Sequence, residues 1–267
     1  KFVVRRYKWL LLINGVVSII FISFLPLNQL NDEFVKYFDR TIEFRQATDF
    51  LNENMGGIYS IEYSLVKNES GAVNDPIFLQ KLDQFSIWLR QQSGVVHVNT
   101  ISDTYKRLNK SMHGDDSDWY KLPELRELAA QYLLLYEMSL PYGLDLNDQI
   151  NMDKSGVRLI ITLQNLNSDE LLALESRFND WLVKEMPEVE FISASTTLMF
   201  ANIGKRNISR MIQGTAIALV FISFILVFAF KSIRLGFISL IPNLIPAAVA
   251  FGVWGIVDGY IGLALSV

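Results

Sequence analysis

Hydrophobic residues are concentrated in three stretches of the chain, at positions 9–27, 211–230 and 235–257. The stretches hold 19, 20 and 23 residues, and none of them contains Asp, Glu, Lys or Arg. As helices they would be about 28–35 Å long, enough to cross a hydrocarbon core that is roughly 30 Å thick. Buried helices of soluble proteins rarely lack every charge over such a length, so the pattern predicts three transmembrane helices.

After the first stretch, the hydrophobic period becomes that of a water-soluble domain. Residues 38–55 predict a helix with apolar positions near helical spacing, and two glycines after it mark its end. Residues 58–66 alternate between apolar and polar, which is the period of a half-buried strand. Asp75 followed by a proline predicts a helix from there to about residue 92, and residues 95–101 a second strand. The predicted core face of that helix consists of Ile77, Leu82, Phe85, Trp88 and Leu89.

The same β-α-β pattern returns later in the chain. Residues 157–163 predict a strand, residues 168–186 a helix whose core face is Leu171, Leu174, Phe178 and Leu182, and residues 189–193 a second strand. Two such units in one domain predict a split β-α-β, ferredoxin-like sheet. The predicted fold class is therefore an α+β membrane protein, in which α-helical transmembrane spans carry a porter-like domain of ferredoxin-like β-α-β units. Residues 196–210 predict a helix that leads into the second span.

Charged flanks predict how the spans are oriented. Lys1, Arg5, Arg6 and Lys8 precede the first apolar stretch, and Lys231 and Arg234 lie between the second and third. Short loops rich in Lys and Arg stay in the cytoplasm. The first stretch is too long for a signal peptide and has no small-residue cleavage site after it. The expected order is a cytoplasmic flank at 1–8, a span at 9–27, a periplasmic domain at 28–210, a span at 211–230, a cytoplasmic loop at 231–234, a span at 235–257, and an outer turn with the start of a truncated fourth span at 258–267.

Composition excludes several classes of function. The chain of 267 residues is 51% hydrophobic and has no cysteine, so it offers neither a disulfide framework nor a thiolate metal site. The predicted outer domain carries 27 acidic and 18 basic residues, which argues against a nucleic-acid partner. No catalytic or phosphate-binding motif occurs, so we expect no enzyme activity, no cofactor and no metal site. Asp115, Asp116 and Asp118 are interpreted as a solvated loop.

A helical insertion between the two β-α-β units contains the most apolar part of the predicted outer domain. It comprises residues 102–112, a polar loop and residues 123–138. Two interpretations of the apolar residues at the end of this insertion stay open. Either they line a path for a hydrophobic substrate, or they pack on the sheet of their own domain. The residues assigned to the substrate path are Tyr132, Leu135, Tyr136, Met138 and Tyr142.

Polar residues and prolines inside the predicted spans form a second candidate site. Pro242 and Pro246 free backbone carbonyls in the third span, and Asn243 lies between them. They are interpreted either as a bend that moves during transport or as a static kink. Asn14 in the first span is expected to face the helix bundle. Gly252, Gly255 and Gly259 predict close helix packing, and their spacing is typical of a multi-span protein.

Several segments of the chain resemble one half of an RND-superfamily transporter, in particular the MMPL-like exporters of hydrophobic molecules. The segments cover most of the chain, and the most specific of them is the hairpin between the second and third spans. They are residues 31–38, 45–51 (RQATDFL), 55–57 (MGG), 130–147 (AQYLLLYEMSLPYGLDLN), 230–236 (FKSIRLG) and 239–246 (SLIPNLIP). The segment at 130–147 is similar to the second half of bacterial members.

The resemblance implies a proton-driven exporter in the bacterial inner membrane that moves hydrophobic or lipid-like molecules. Its implied partners are the lipid bilayer, the remainder of the same transporter, the substrate and further copies in a homo-oligomer. The family's proton relay is an acidic pair in the fourth span, and no residue of this chain is assigned to it. Two alternatives stay open: a permease subunit of an ABC-type mechanotransmission system, which shares this order of spans, and a membrane-anchored periplasmic sensor.

Overall fold

The computed structural model of the chain describes residues 2–28, 35, 38–141, 145–257 and 259. The chain forms two compact units, one made of residues 34–201 and the other of residues 1–33 together with 202–267. The first unit is a mixed α/β domain and the second is helical. Each unit is described below in its own terms.

The α/β unit is built on one four-stranded sheet. Its strands are β1 (Tyr59–Lys67), β2 (Val95–Asn99), β3 (Gly156–Leu163) and β4 (Val189–Ala194), in the order β2-β3-β1-β4. All neighbouring strands are antiparallel, with Ile61 of β1 opposite Ile161 of β3. Since β1 and β2 both run against β3, they are parallel to each other and are separated by it. The same holds for β3 and β4, which are separated by β1.

Two helices connect these separated parallel strands and cover one face of the sheet. Helix α4 (Pro76–Arg90) follows β1, and helix α7 (Ser168–Glu185) follows β3. Each begins at a side-chain cap, because the Asp75 carboxylate accepts from the Ile77 amide and Asn167 forms a capping box with Glu170. The predicted β-α-β units and the predicted core face of α7 are confirmed.

The core lies between the sheet and these two helices. Alternate residues of β1 are almost fully buried, and the Tyr63 ring contacts Phe85 of α4 and Phe178 of α7 edge-on. The prediction for α4 is wrong at Ile77, which is 67% exposed, whereas Phe78 and Leu79 are buried. Ile77 lies on a different side of α4 from the buried residues Phe78, Leu79, Leu82, Phe85 and Leu89. The prediction for β2 extends too far, because the Thr100 hydroxyl caps the next helix and so ends the strand at Asn99.

The insertion forms two helices, α5 (Ile101–Met112) and α6 (Arg126–Ser139). Lys106 of α5 is only 8% exposed, and its ammonium lies 2.6 Å from Asp83 of α4 and 3.1 Å from Asp103. Burial lowers the pKa of Lys106, but the bonds to both carboxylates outweigh burial and raise the pKa overall. Arg90 of α4 also pairs with Asp103. This charge cluster holds the insertion against α4.

Helix α3 (Glu43–Met55) precedes the sheet and turns its apolar side outward. It begins five residues later than the sequence predicts and ends at Gly56, which has φ of 85°. Phe44 and Phe50 are 45% and 61% exposed. The shielded side is polar, because Thr48 is 3% exposed and Arg45 pairs with Asp49 at 2.8 Å. The apolar spacing therefore predicts the helix correctly, although these residues do not contribute to the core.

Among the described residues, three helices are long and apolar enough to cross a membrane. They are residues Tyr7–Leu27, Thr196–Phe230 and Leu240–Val257. The first consists of α2 (Tyr7–Ile22) and a short 3-10 turn (Leu25–Leu27), after a helical turn α1 (Phe2–Arg5). The second is the whole of α8 (Thr196–Phe230), and the third is part of α9 (Ile233–Val257). Only Lys231 and Ser232 separate α8 from α9. Residues 196–210 belong to α8, as the sequence predicts.

Asp75 should contribute strongly to the stability of the α/β unit. It caps α4 and accepts a hydrogen bond from Lys67 at 2.8 Å. We expect Asp75→Ala to lower the free energy of unfolding by about 1–2 kcal/mol, because loss of an N-cap costs that much. Chemical denaturation of the detergent-solubilised chain measures the change, and Asp75→Asn is the matched control because it keeps the cap and should lose less.

The effect of Asp75→Ala should depend on pH. Burial raises the pKa of Asp75, but the bonds from Lys67 and the Ile77 amide outweigh it, so the pKa lies below the ordinary value of 3.8. A lowered pKa contributes stability above the unfolded-state value and loses it as the pH falls through the folded-state value. The difference between wild type and variant should therefore shrink below pH 3.8. A difference that stays constant well below pH 3.8 would contradict this assignment.

Candidate functional site

The apolar stretch of α6 divides into an inward and an outward side. Tyr132 and Leu133 are buried at 5% and 1% exposure, and Tyr136 packs partly against the core. Leu134, Leu135 and Met138 are 54%, 47% and 76% exposed. We call these three residues the α6 face. The stretch thus packs on its own domain with one side and presents an apolar surface with the other.

Tyr132 connects α6 to the rest of the insertion. Its hydroxyl donates to the Asn109 side chain at 3.0 Å, and Asn109 in turn donates to the Lys121 carbonyl at 2.9 Å. Asn109 is 2% exposed, so its bonds fix both α6 and the loop that returns to it. Of the residues assigned to the substrate path, Leu135 and Met138 lie on the exposed side. Tyr142 lies outside the described residues.

A cavity of about 230 Å³ opens beside the end of α6. Glu137, Leu146, Ile150, Met152 and Lys154 contribute to its lining. Lys154 donates to the Glu137 carboxylate at 2.9 Å, so opposite charges within the lining already neutralise each other. Met152 is 92% exposed at its rim. Asp145, Asn147 and Asn151 also line the cavity, so its lining mixes apolar and polar side chains and carries one carboxylate besides the Glu137–Lys154 pair.

The second candidate site lies in the helical unit, where α9 packs against α2 and the following 3-10 turn. A Cβ atom on Gly252 would lie 1.9 Å from the Phe21 carbonyl oxygen, and one on Gly255 would lie 2.7 Å from that of Phe24. No side chain fits at either position, so the two backbones touch. Contacts of this kind bring a glycine Cα–H towards a carbonyl oxygen, which is a weak favourable interaction. The predicted close packing at these glycines is confirmed.

Asn28 supports this contact with an interhelical hydrogen bond. Its Nδ2 donates to the Phe251 carbonyl of α9 at 2.8 Å and to the Leu25 carbonyl at 3.0 Å. Its Oδ1 is buried, and no described residue donates to it. The sequence analysis did not identify Asn28. Its position directly after an apolar stretch was the available signal, because an amide there can reach the end of a neighbouring helix.

The intramembrane residues assigned from the sequence occupy different surroundings. Helix α9 continues through Pro242 and Pro246, and both side chains are exposed. Each proline lacks the N–H that bonds the carbonyl four residues earlier, so Ile238 and Pro242 lose that partner. Asn14 lies on the exposed surface of α2. The side chain of Asn243 lies outside the described part of the chain.

The comparisons with known proteins identify no relative: the sequence matches no protein-family model, and no curated protein is significantly similar to it. Among the described residues, no group of three or more His, Asp or Glu side chains is placed to hold a metal ion. The function is therefore inferred from the residues and the fold alone.

Gly252→Ala should separate α2 from α9. The added methyl group would overlap the Phe21 carbonyl, so the helices must move apart or tilt. We expect the thermal unfolding temperature of the detergent-solubilised chain to fall. Gly15→Ala and Gly214→Ala are matched controls, because a Cβ at either position meets no atom within 4 Å. Alanine favours helix over glycine by about 1 kcal/mol, so the controls should be neutral or stabilising. Equal destabilisation by all three variants would show that the packing at Gly252 is not special.

Proposed function

We propose that this chain is part of a proton-driven exporter of hydrophobic or lipid-like molecules, of the RND and MMPL-like kind, embedded in the bacterial inner membrane. The observation that carries the proposal is the order of elements. One helix able to cross a membrane precedes the α/β unit, and two more follow it with only Lys231 and Ser232 between them. The resemblance implies this order for one half of such a transporter.

The connectivity of the sheet supports the same proposal. Both helices α4 and α7 join strands that are parallel and separated by a third strand, in the order β2-β3-β1-β4. This is the arrangement expected of a ferredoxin-like sheet built from two split β-α-β units. In the proposal, the α/β unit is a periplasmic porter-like domain, and the insertion with α5 and α6 is an elaboration between its two halves.

The α6 face supports a hydrophobic substrate. Large apolar side chains that are exposed together are costly in water, and such patches mark binding surfaces. Covering a Leu or Met side chain completely is worth about 1.5–3 kcal/mol. Leu134, Leu135 and Met138 would thus bind an apolar molecule without requiring a particular arrangement of polar groups. This fits a conduit that accepts lipid-like molecules, and it makes α6 the part of the domain to test.

Polar substitution of the α6 face should weaken transport. We expect Leu135→Ser combined with Met138→Ser to raise the apparent KM for a fluorescent lipid analogue about tenfold, since the two changes remove apolar contact area. Export from cells that produce the full-length protein measures this. The matched control is Val183→Ser combined with Ile77→Ser, because these side chains are 62% and 67% exposed on the helices α7 and α4. An equal loss in both double variants would contradict a specific role for the α6 face.

The energy source separates the proposal from an ABC-type permease. Export should stop when a protonophore collapses the proton gradient, and it should continue in vesicles that retain the gradient without ATP. Export that follows ATP rather than the gradient would favour the permease alternative. A chain that binds the lipid analogue but moves none under either condition would favour the sensor alternative.

The proposed orientation can be tested by labelling single cysteines, since the chain contains none. Ser70 lies in an exposed loop of the α/β unit, and Ser232 lies between α8 and α9. We expect a membrane-impermeant thiol reagent to label Ser70→Cys from the periplasmic side and Ser232→Cys only after the membrane is opened. Labelling of both from the same side would contradict the orientation.

A further inference from the structure

The turn between α8 and α9 borders a cavity that the proposed function does not use. The cavity has a volume of about 290 Å³ and is lined by Val227, Phe228, Lys231, Ser232 and Ile233. Phe228 and Ile233 are 82% and 69% exposed, and Lys231 is exposed as well. The lining therefore combines apolar side chains with an ammonium group. We call it the hairpin cavity.

Lys231 occupies a backbone position at which glycine is usual. Helix α8 ends in a Schellman motif, because the Lys231 amide donates to the Phe228 carbonyl and the Ser232 amide donates to the Val227 carbonyl, both at 3.3 Å. This motif places residue 231 in the left-handed conformation, with φ of 49°. A Cβ atom makes that conformation costly, whereas glycine adopts it freely. A lysine that is kept at such a position indicates a role for its side chain.

The two helices that meet at this turn provide no counter-ion for Lys231. Residues 191–257 contain neither Asp nor Glu. Arg234 adds a second exposed positive charge in the first turn of α9. Neither of these two basic side chains forms a hydrogen bond or an ion pair with any residue that the structure describes. Two cations this close in sequence attract an anion, and their N–H groups can donate charge-assisted hydrogen bonds to phosphate oxygens.

The apolar stretch of α8 determines the depth of the hairpin cavity in a bilayer. Residues 211–230 form a helical stretch about 30 Å long, which matches the thickness of the hydrocarbon core. Lys231 follows this stretch directly, so its ammonium lies at the level of the lipid headgroups. Phe228 precedes it and lies at the level of the acyl chains. A ligand of the cavity therefore meets positive charge at one end and apolar surface at the other.

From these observations we infer that the hairpin cavity binds an anionic phospholipid of the surrounding bilayer. The phosphate contacts Lys231 and Arg234, and the acyl chains lie against Phe228 and Ile233. A headgroup with net negative charge is favoured, because a zwitterionic headgroup brings an ammonium that both cations repel. The lipid is a stationary ligand of the turn and not the exported molecule. The inference rests on the proposed location in a membrane, and the proposed orientation assigns the lipid to the cytoplasmic leaflet.

Thermal unfolding of the full-length protein in detergent tests the inference with defined lipids. Dioleoylphosphatidylglycerol should raise the unfolding temperature until the site is saturated, because the lipid binds the folded protein. Dioleoylphosphatidylcholine has the same acyl chains without the net charge and should raise it much less. Inorganic phosphate has the charge without the chains and should have no effect at the same concentration. An equal rise with phosphatidylcholine or with inorganic phosphate would overturn the inference.

The variant Lys231→Gly separates lipid binding from the stability of the turn. Without lipid it should unfold at the same or a higher temperature than wild type, because glycine adopts the left-handed conformation freely. Its apparent Kd for phosphatidylglycerol should be about tenfold weaker, since a hydrogen bond from a charged group is lost. Lys231→Arg keeps the charge and should keep the affinity. A lower unfolding temperature of Lys231→Gly without lipid, or an unchanged affinity, would overturn the inference.

A second basic residue on the same proposed side of the membrane provides the matched control. Arg5 is exposed before the first apolar stretch and does not line the hairpin cavity. Arg5→Gln should keep the wild-type affinity for phosphatidylglycerol, whereas Arg234→Gln should weaken it. Equal losses in Arg5→Gln and Lys231→Gly would overturn the inference, because binding would then follow total charge. These measurements involve no transport, so a protein that binds phosphatidylglycerol but exports no lipid analogue would contradict only the proposed function.

Discussion

The pairing of β1 with β3 is the interaction on which the α/β unit depends. It joins segments about one hundred residues apart, from Tyr59 opposite Leu163 to Val66 opposite Gly156. Because β1 and β3 are the two central strands, every other part of the sheet is attached to one of them. The long connection between the two strands carries α4, β2 and the entire insertion. Its loop-closure cost is compensated by alternate apolar residues of both strands, which are buried under α4 and α7.

Local signals in the sequence predict most of this fold because the backbone groups at the helix starts are capped by side chains nearby in sequence. The Asp75–Pro76 start of α4 and the apolar period of α7 act within one or two helical turns, and both are found where expected. The sequence does not reveal which side of a helix meets the sheet when apolar residues occur on more than one side. That is why Ile77 is exposed and why the apolar residues of α3 face outward. These orientations depend on tertiary contacts that no local pattern contains.

The candidate sites were predictable to different degrees for the same reason. Apolar composition identified the stretch that contains the α6 face, but the division between buried Tyr132 and exposed Met138 depends on the bond from Tyr132 to Asn109. Glycine spacing identified the contact at Gly252 and Gly255. The groups that contact this part of α9 lie more than 220 residues earlier in the sequence. They are the carbonyls of Phe21 and Phe24 and the side-chain amide of Asn28. A pattern along one helix indicates that a close contact exists, and only the fold identifies its partner.

The exposed apolar surfaces of helices α3 and α6 differ in the groups around them. The α6 face consists of Leu134, Leu135 and Met138, three exposed apolar side chains. On α3, the exposed rings of Phe44 and Phe50 share the helix surface with the exposed carboxylates of Glu43 and Glu53. Apolar contact alone can therefore cover the α6 face, whereas an occupant of the exposed side of α3 would also meet charged groups.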